Sequence, residues 1–142
     1  LADLCLNAKI APMVNQVELH PFFAQSGALE NMKEFGVQPQ AWAPLAEGKF
    51  GIFTNPVLTG IGQKYGKTAA QIALRWNIER GVIIIPKSTH EERIHENLNI
   101  WDFSLSKEDM DAIADLDIGK SQIIDHSTAE TAKFLNSFKI HE

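Results

Sequence analysis

Alternating and continuous apolar runs along the chain predict three β-strands. Near the end of residues 13–19, Val17 and Leu19 alternate with the polar residues Gln16 and Glu18, which predicts a strand with one polar face. Residues 37–45 form a second extended run with a proline near each end. Residues 82–85 are continuously β-branched, a pattern typical of a strand that is buried on both faces of a parallel sheet.

Apolar residues at helical spacing predict helices between and after these strands. The predicted helices cover residues 25–35, 55–65, 68–80, 89–100, 106–116 and 128–138. Thr68 is a candidate N-cap, and the segments that begin at Thr89 and Ser106 fit capping boxes. Residues 46–56 contain two glycines and little periodicity, so we predict a mobile loop that covers a site.

The order of these elements predicts the fold class. A strand followed by a helix, three times over, indicates right-handed βαβ units and a parallel sheet. In an eight-stranded α/β barrel, side chains fill the inward face of each strand and active groups lie at the strands' carboxyl ends. Gln16, Glu18 and His20 share one strand face and suit such an interior, because buried polar groups are costly unless they are paired or used. We therefore expect an α/β fold that forms part of a barrel.

Composition and charge exclude several classes of protein. The chain has 142 residues, of which 44% are hydrophobic and 22% charged, typical of a soluble globular domain. A whole barrel of this kind needs about 250 residues. The formal net charge of -5 gives no general reason to bind nucleic acid or an anionic membrane. The sequence has no secretory signal and no apolar run of about 18 residues.

Two details of the sequence bear on its cellular setting. The single cysteine, Cys5, cannot form an internal disulfide, which favours a reduced, cytoplasmic compartment. The chain begins at Leu1 rather than at a methionine, which indicates truncation or processing.

The most informative segment follows the third strand. It places Lys87 and Ser88 at a strand exit and Arg93 in the first turn of the next helix, with Asn97 one turn farther along the same face. A helix N-terminus favours phosphate through its free N–H groups and its dipole, and Lys87 and Arg93 would add two cations. The alternative is a capped surface helix with solvated charges. Spacing alone leaves both interpretations open.

Three other segments do not fit the sites that they resemble. Residues 81–88 carry Pro86 where a phosphate-binding P-loop needs its second glycine. The glycines at 60, 62 and 66 lie in a predicted helix rather than directly after a strand, as a dinucleotide fingerprint requires. His90 and His95 are five residues apart and face different sides of a helix. No metal site is implied.

Several aromatic and titratable residues have two interpretations. Trp42, near the end of the second strand, would either stack on a planar ring or pack in the core. Trp76 and Trp101 are predicted core residues. His20 would act either as an acid or base or as a structural hydrogen-bonding group. Tyr65, which lies between two lysines at a helix end, is interpreted as surface packing.

Three segments together carry a family resemblance. They are NQVELHP at residues 15–21, AWAPL at 41–45, and IPKS at 85–88 followed by Arg93, Glu96 and Asn97. In order and spacing they resemble the carboxy-terminal half of the aldo-keto reductases, and the resemblance extends from residue 1 to about 118. With Trp42 in place of a tyrosine, the sequence is similar to the bacterial 2,5-diketogluconate reductase branch of this family.

The resemblance implies a (β/α)8 TIM barrel, of which this chain supplies about three parallel strands with their helices. Residues 1–142 would form one partial barrel domain, with barrel elements in 1–120 and a tail resembling a substrate loop in 121–142. Phe134, Leu135 and Phe138 in this tail would face a pocket or merely pack.

The resemblance also implies NADPH as the cofactor. By family role, Gln16 would hydrogen-bond the nicotinamide carboxamide and Trp42 would stack beneath the nicotinamide ring, while Ala43, Pro44 and Leu45 would line the pyrophosphate. The 2′-phosphate would be held by Lys87, Ser88 and Arg93, with Thr89 beside them and with the adenine in contact with Glu96 and Asn97. Lys87, Ser88, Arg93 and Asn97 are also the residues that the phosphate-site interpretation identifies independently of the resemblance.

The family's catalytic tetrad of Asp, Tyr, Lys and His has no counterpart in this sequence, and neither Tyr65 nor His20 occupies a tetrad position. We assign no catalytic residue. The predicted function is NADPH-dependent reduction of an aldehyde or ketone, represented here by the cofactor-binding part, with negligible turnover by this chain alone. One alternative is a non-catalytic NADP-binding or interaction module that pairs with itself or with a missing amino-terminal half. Another is a barrel fragment that binds sugar phosphates.

Overall fold

The computed structural model describes residues 1–126 and 128–138, and it contains three strands and seven α-helices in that part of the chain. In chain order they are α1 (Ala2–Asn7), β1 (Val14–Glu18), α2 (Ser26–Glu34), β2 (Gln38–Trp42), α3 (Pro56–Tyr65), α4 (Ala69–Glu79), β3 (Ile83–Ile84), α5 (Glu91–Leu98), α6 (Lys107–Ala114) and α7 (Ala129–Asn136). Only α1, which buries none of its residues, was not predicted from the sequence.

The three strands form one parallel sheet in the order β1-β2-β3. Glu18 at the end of β1 pairs with Trp42 at the end of β2, and Ala41 pairs with Ile84. The carboxyl ends of the three strands therefore lie along one edge of the sheet, where parallel α/β proteins bind ligands. The predicted α/β fold with a parallel sheet is confirmed.

The core lies between the sheet and the helices that follow β2. Its fully buried side chains include Ala41 of β2, Leu58 of α3, Ile72 and Trp76 of α4, and Ile113 of α6. The sequence prediction of a core position is thus confirmed for Trp76. None of the helices in residues 1–126 and 128–138 combines the length and hydrophobicity that crossing a membrane requires.

Two burial predictions are wrong. Ile83 in β3 is 38% exposed and Ile85 just after it 55% exposed, although the run predicted a strand buried on both faces. The exposed residues alternate with Val82, which is 2% exposed, and with Ile84, which packs against the core, so only one face of β3 is covered. Trp101 is 65% exposed rather than in the core; it follows α5 on the outside, where the guanidinium of Arg75 lies 6.0 Å from its ring centroid.

Side-chain caps fix where α4 and α6 begin. Thr68 Oγ1 accepts a hydrogen bond from Gln71 N, and Gln71 Oε1 accepts one from Thr68 N, so the capping box at α4 is complete. Ser106 caps α6 by accepting from Asp109 N, as predicted. The return half of that box is absent, because the Asp109 carboxylate accepts from Lys64 and from the Tyr65 hydroxyl instead.

Candidate functional site

The first part of the site is a cavity of about 450 Å³ at the ends of β1 and β2. We call it the Trp42 cavity. Trp42 is partly exposed and lines it, so the core interpretation of this residue is wrong. Gln16 lines the same cavity, and its Nε2 donates a 2.7 Å hydrogen bond to Gln40 on β2. The cavity is also lined by residues that follow α6, namely Lys120, Ser121, Ile124, Asp125 and His126.

The second part is a cavity of about 410 Å³ under the loop that follows β2, which we call the loop cavity. Ala43, Pro44 and Leu45 line it, as the resemblance implies for residues beside a pyrophosphate. The loop is anchored rather than structureless, because it contains a 3₁₀ helix (Ala46–Gly48) and a fully buried Ile52. The mobility proposed for it stays a prediction.

Backbone conformation in this loop is unusual. Ala43 has a φ of 50° and Ala46 one of 48°, and Glu47 and Phe50 also have positive φ values. L-residues adopt this left-handed region at a small energetic cost, and such residues cluster at ligand-binding segments. The strain in this loop is therefore consistent with a binding role.

The third part is a cavity of about 390 Å³, which we call the Arg93 cavity. The adenosine-end candidates that line it are Lys87, Ser88, Arg93, Glu96 and Asn97. Lys87, Ser88 and Arg93, for which convergence was predicted, thus line one cavity together with Glu96 and Asn97, and their contact with a cofactor stays a prediction. Leu45, Phe53, Lys87 and Arg93 line both this cavity and the loop cavity, so the two are neighbours along one groove. Thr89 lines none of the three cavities and is exposed.

Two cations in one cavity distinguish this groove from a capped surface helix. Lys87 and Arg93 both line the Arg93 cavity, and among the described residues neither has a hydrogen-bond or ion-pair partner. Two cations without an internal partner in one cavity favour an anionic ligand. The solvated-helix alternative explains the exposure of these side chains but not their convergence.

The start of α5 differs from the sequence prediction in a way that matters for an anion. The capping box from Thr89 to Glu92 is wrong, because α5 begins at Glu91 with His90 as its N-cap, and His90 makes no side-chain cap. Ser88 Oγ instead accepts from His90 N, one step before the helix. The first N–H groups of α5 therefore have no capping side chain and are open to a ligand.

A second helix N-terminus borders the same cavity. The cavity is lined by Phe53 and by Thr68, Ala69 and Ala70 at the start of α4. None of these four residues was identified from the sequence as part of a binding site. Gln71 joins the two helices, since its Nε2 donates to the carbonyl oxygens of Glu96 and Asn99 near the end of α5. The capping box of α4 was readable in the sequence, but its approach to α5 depends on tertiary packing.

A buried hydrogen-bonded pair, Glu18 and His20, lies beside the Trp42 cavity, which Glu18 lines. His20 is fully buried and its Nε2 lies 3.1 Å from Glu18 Oε1. Burial lowers the pKa of His20 below its usual 6.5, although Glu18 opposes this, so the ring is neutral at pH 7 with its proton on Nε2. The structural interpretation of His20 is confirmed. Tyr65 is likewise structural, because its hydroxyl donates to Asp109 at 2.8 Å and accepts from Ser106 N.

The candidate residues of the tail do not join the site. Phe134 and Phe138 are each 55% exposed and stack edge to face on one another, and Leu135 is 40% exposed. None of them lines the three cavities.

Comparison with protein families identifies the class to which this fold and groove correspond. Residues 2–118 match the model of the Aldo/keto reductase family, and the chain belongs to that family. It is 49% identical over 113 residues to a glyoxal reductase of Bacillus subtilis, covering 80% of this chain and 40% of that protein. It is 42% identical over 111 residues to the methylglyoxal reductase DkgA of Escherichia coli, covering 78% and 40%.

Solved structures give the same result. The aldo-keto reductase MGS-M4, from a deep-sea metagenome library of the Medee basin, superposes with a TM-score of 0.86 at 39% identity, over 90% of this chain and 47% of that one. The silkworm aldo-keto reductase AKR2E5, in complex with NADPH, gives 0.78 at 30% identity, over 84% and 39%. The chain therefore spans less than half the length of these relatives, and its sheet is part of a barrel.

Proposed function

We propose that this chain binds NADPH and is the cofactor-binding part of a reductase for small aldehydes and ketones. One observation carries the proposal: Lys87 and Arg93, which lack partners among the described residues, converge on a cavity that two helix N-termini also border. Each of these features favours a phosphate group, and together they supply both charge and N–H donors.

The chemistry of the donor set fits the phosphate monoester that distinguishes NADPH from NADH. Arg93 offers a planar fork for two phosphate oxygens, and Lys87 offers a compact point charge. Ser88 and Asn97 add neutral hydrogen-bonding groups. Glu96 lines the same cavity with a negative charge, which suits contact with the adenine rather than with the phosphate. Thr89 is exposed outside the cavity and would act only at its margin.

The other end of the cofactor would lie in the Trp42 cavity. Gln16 presents an amide to the nicotinamide carboxamide, and the indole of Trp42 presents a flat face to the ring. Ala43, Pro44 and Leu45 would line the pyrophosphate in between. When bound, the cofactor supplies a hydride for the carbonyl carbon, and the residues of this chain bind and orient the reactants. Carbonyl reduction also needs a proton donor, and we assign none here.

Names of relatives suggest the substrate class. Those reported above are a glyoxal and a methylglyoxal reductase, so we propose small 2-oxoaldehydes as substrates of the complete catalytic arrangement. For this chain alone we expect no measurable NADPH oxidation with such aldehydes, because no residue matches the family's tetrad.

The proposal is tested by titrating NADPH and NADH into the chain and following cofactor fluorescence. Arg93→Ala and Lys87→Ala should each weaken NADPH binding by about tenfold to a hundredfold, since each removes one charge-assisted contact. NADH binding should change far less. Lys107→Ala is the matched control, because this lysine is 82% exposed and pairs only with Asp111 on its own helix.

Two results would contradict the assignment. Equal weakening of NADPH and NADH binding would contradict the placement of the 2′-phosphate in the Arg93 cavity. Unchanged NADPH binding in both variants would contradict any phosphate contact of Lys87 and Arg93. Tighter binding of a simple sugar phosphate than of NADPH would favour the sugar-phosphate alternative instead.

A second candidate is an interaction module, and a specific feature favours it. Both borders of the sheet carry exposed apolar side chains, with Met13 77% exposed beside β1 and Ile85 55% exposed beside β3. Open strand borders pair readily with another chain. Pairing with a second copy or with the remainder of a barrel is compatible with cofactor binding.

A further inference from the structure

Glu18, the last residue of β1, is a buried carboxylate that has no role among the proposed cofactor contacts. It is 4% exposed and accepts three hydrogen bonds, from Ser121 Oγ at 2.6 Å, Gln122 N at 2.9 Å and His20 Nε2 at 3.1 Å. A buried charge is tolerated only when its oxygens are satisfied in this way. Its surroundings are therefore specific for an ionised carboxylate.

Two of the three donors come from a distant part of the chain. Ser121 and Gln122 follow α6 and are more than a hundred residues from Glu18 in sequence. Ser121 Oγ also accepts from Ile124 N at 3.0 Å and lies 2.6 Å from Ile124 O, so its one hydroxyl hydrogen is shared between Glu18 and that carbonyl. Glu18 therefore binds a turn that is already closed. The residues just before this turn are attached nearby, because Ile118 N donates to Phe22 O and Asp117 accepts from Ala24 N.

The segment that Glu18 holds is also a wall of the Trp42 cavity. We call residues 120–126 the tail segment; five of its members line the cavity that Gln16 and Trp42 also line. The position of the tail segment therefore contributes to the shape of this cavity. Glu18 connects the strand end to this wall through its two shortest contacts.

We propose that Glu18 is a positioning residue that anchors the tail segment near the strand ends and so fixes the shape of the Trp42 cavity. The use of this cavity by the nicotinamide end of NADPH rests on the proposed function; the anchoring does not. Burial alone would raise the pKa of Glu18, but the bonds from Ser121, Gln122 and His20 hold it below its usual value, so the anchor is charged at neutral pH.

Glu18→Gln removes the anchor with little change in size. A glutamine has one acceptor oxygen in place of two, and its NH₂ group would face donors such as Gln122 N. Ser121→Ala removes one donor to the carboxylate and also the contacts of Ser121 with Ile124, so it reports on the anchor and on the turn together. Glu34→Gln is the matched control, because it makes the same chemical change at an exposed position at the end of α2.

The test measures amide hydrogen exchange in the tail segment and the NMR resonance of the Trp42 indole N–H, identified with Trp42→Phe. In Glu18→Gln, exchange at residues 121–124 should be about tenfold faster or more, and the Trp42 resonance should shift while that of buried Trp76 does not. Ser121→Ala should show smaller changes of the same kind. Glu34→Gln should show neither.

Unchanged tail-segment exchange in folded Glu18→Gln would overturn the anchoring role, and faster exchange with an unshifted Trp42 resonance would overturn the link to the cavity. Should Glu18→Gln fail to fold, Glu18→Asp decides, because its shorter side chain keeps the charge but withdraws it from Ser121 and Gln122, and exchange must then rise in the tail segment alone. NADPH titration of the same variants keeps the two proposals separate. If the unmodified chain does not bind NADPH, the proposed function is wrong, but the exchange and Trp42 resonance measurements still test the anchoring.

Discussion

At the residue scale, Glu18 and His20 make stability depend on pH in two separate ranges. His20 stays neutral in the fold because burial lowers its pKa, whereas in the unfolded chain it takes up a proton below about pH 6.5. Protonation therefore favours unfolding as the pH falls from above 6.5 towards the folded pKa. Glu18 has a folded pKa below its usual 4.5, so its contribution is complete above pH 4.5 and is lost at lower pH.

We predict that the thermal midpoint of unfolding falls between pH 7.5 and 5.5, and that His20→Gln reduces this fall. Glutamine can still donate a hydrogen bond to Glu18 but cannot titrate, and each pKa unit of difference between the folded and unfolded states corresponds to about 1.4 kcal/mol. Circular dichroism melts across this range provide the measurement.

His95→Gln is the control for this prediction, because His95 is 76% exposed on α5 and lies 3.9 Å from Glu91. The slope of the thermal midpoint against pH in this variant should match that of the unmodified chain. If His20→Gln shows an undiminished slope between pH 7.5 and 5.5, the buried neutral ring is not the cause.

At the element scale, the close approach of α3 to the start of α4 positions part of the site. Gly62 lies in α3, and a Cβ at this position would overlap the backbone carbonyl of Lys67. That carbonyl immediately precedes Thr68, the N-cap of α4. Gly66, with a φ of 65°, ends α3 in the left-handed conformation that the short connection requires.

We predict that Gly62→Ala destabilises the chain by about 1–3 kcal/mol, the usual cost of overpacking, and also weakens NADPH binding. The second effect follows because Thr68 and Ala69 line the Arg93 cavity, so a displaced α4 start changes that cavity. Urea unfolding and cofactor titration measure the two effects.

Gly60→Ala supplies the comparison in the same helix. Nothing lies within 4 Å of a Cβ at Gly60, and alanine is favoured over glycine in a helix by about 0.5–1 kcal/mol, so this variant should be more stable than the unmodified chain. Destabilisation of both variants to the same extent would show that the crowding at Lys67 does not control this corner.

The strands, the helices and the residues that line the Arg93 cavity could be predicted because their signals are local. Periodicity locates β1 and α4, and a strand exit followed by Lys87 and Arg93 indicates an anion site. The capping box at Thr89 failed because α5 begins at Glu91 with His90 as its N-cap, one residue later than the box requires. Phe53 and the start of α4 were missed because their place in the Arg93 cavity depends on packing between elements distant in sequence.

At the scale of the whole molecule, the sheet has two open borders, β1 and β3. Val14 is 48% exposed and Ile83 38% exposed, so each border combines unpaired backbone groups with apolar surface. These are the features by which one sheet adds to another. We therefore predict that the chain associates into dimers or larger species as its concentration rises, as measured by light scattering after size exclusion.

Substitution at the borders tests whether they cause the association. A lysine on an edge strand discourages pairing, because it brings a charge that must be desolvated when a second strand adds. Val14→Lys and Ile83→Lys should each reduce the apparent mass, and the double variant should be monomeric at concentrations where the unmodified chain is not. Ile118→Lys is the control, since this isoleucine is 53% exposed but belongs to neither border strand. Equal loss of association in Ile118→Lys would attribute it to general surface hydrophobicity, and a monomeric unmodified chain at every concentration would show that the open strands do not recruit a partner.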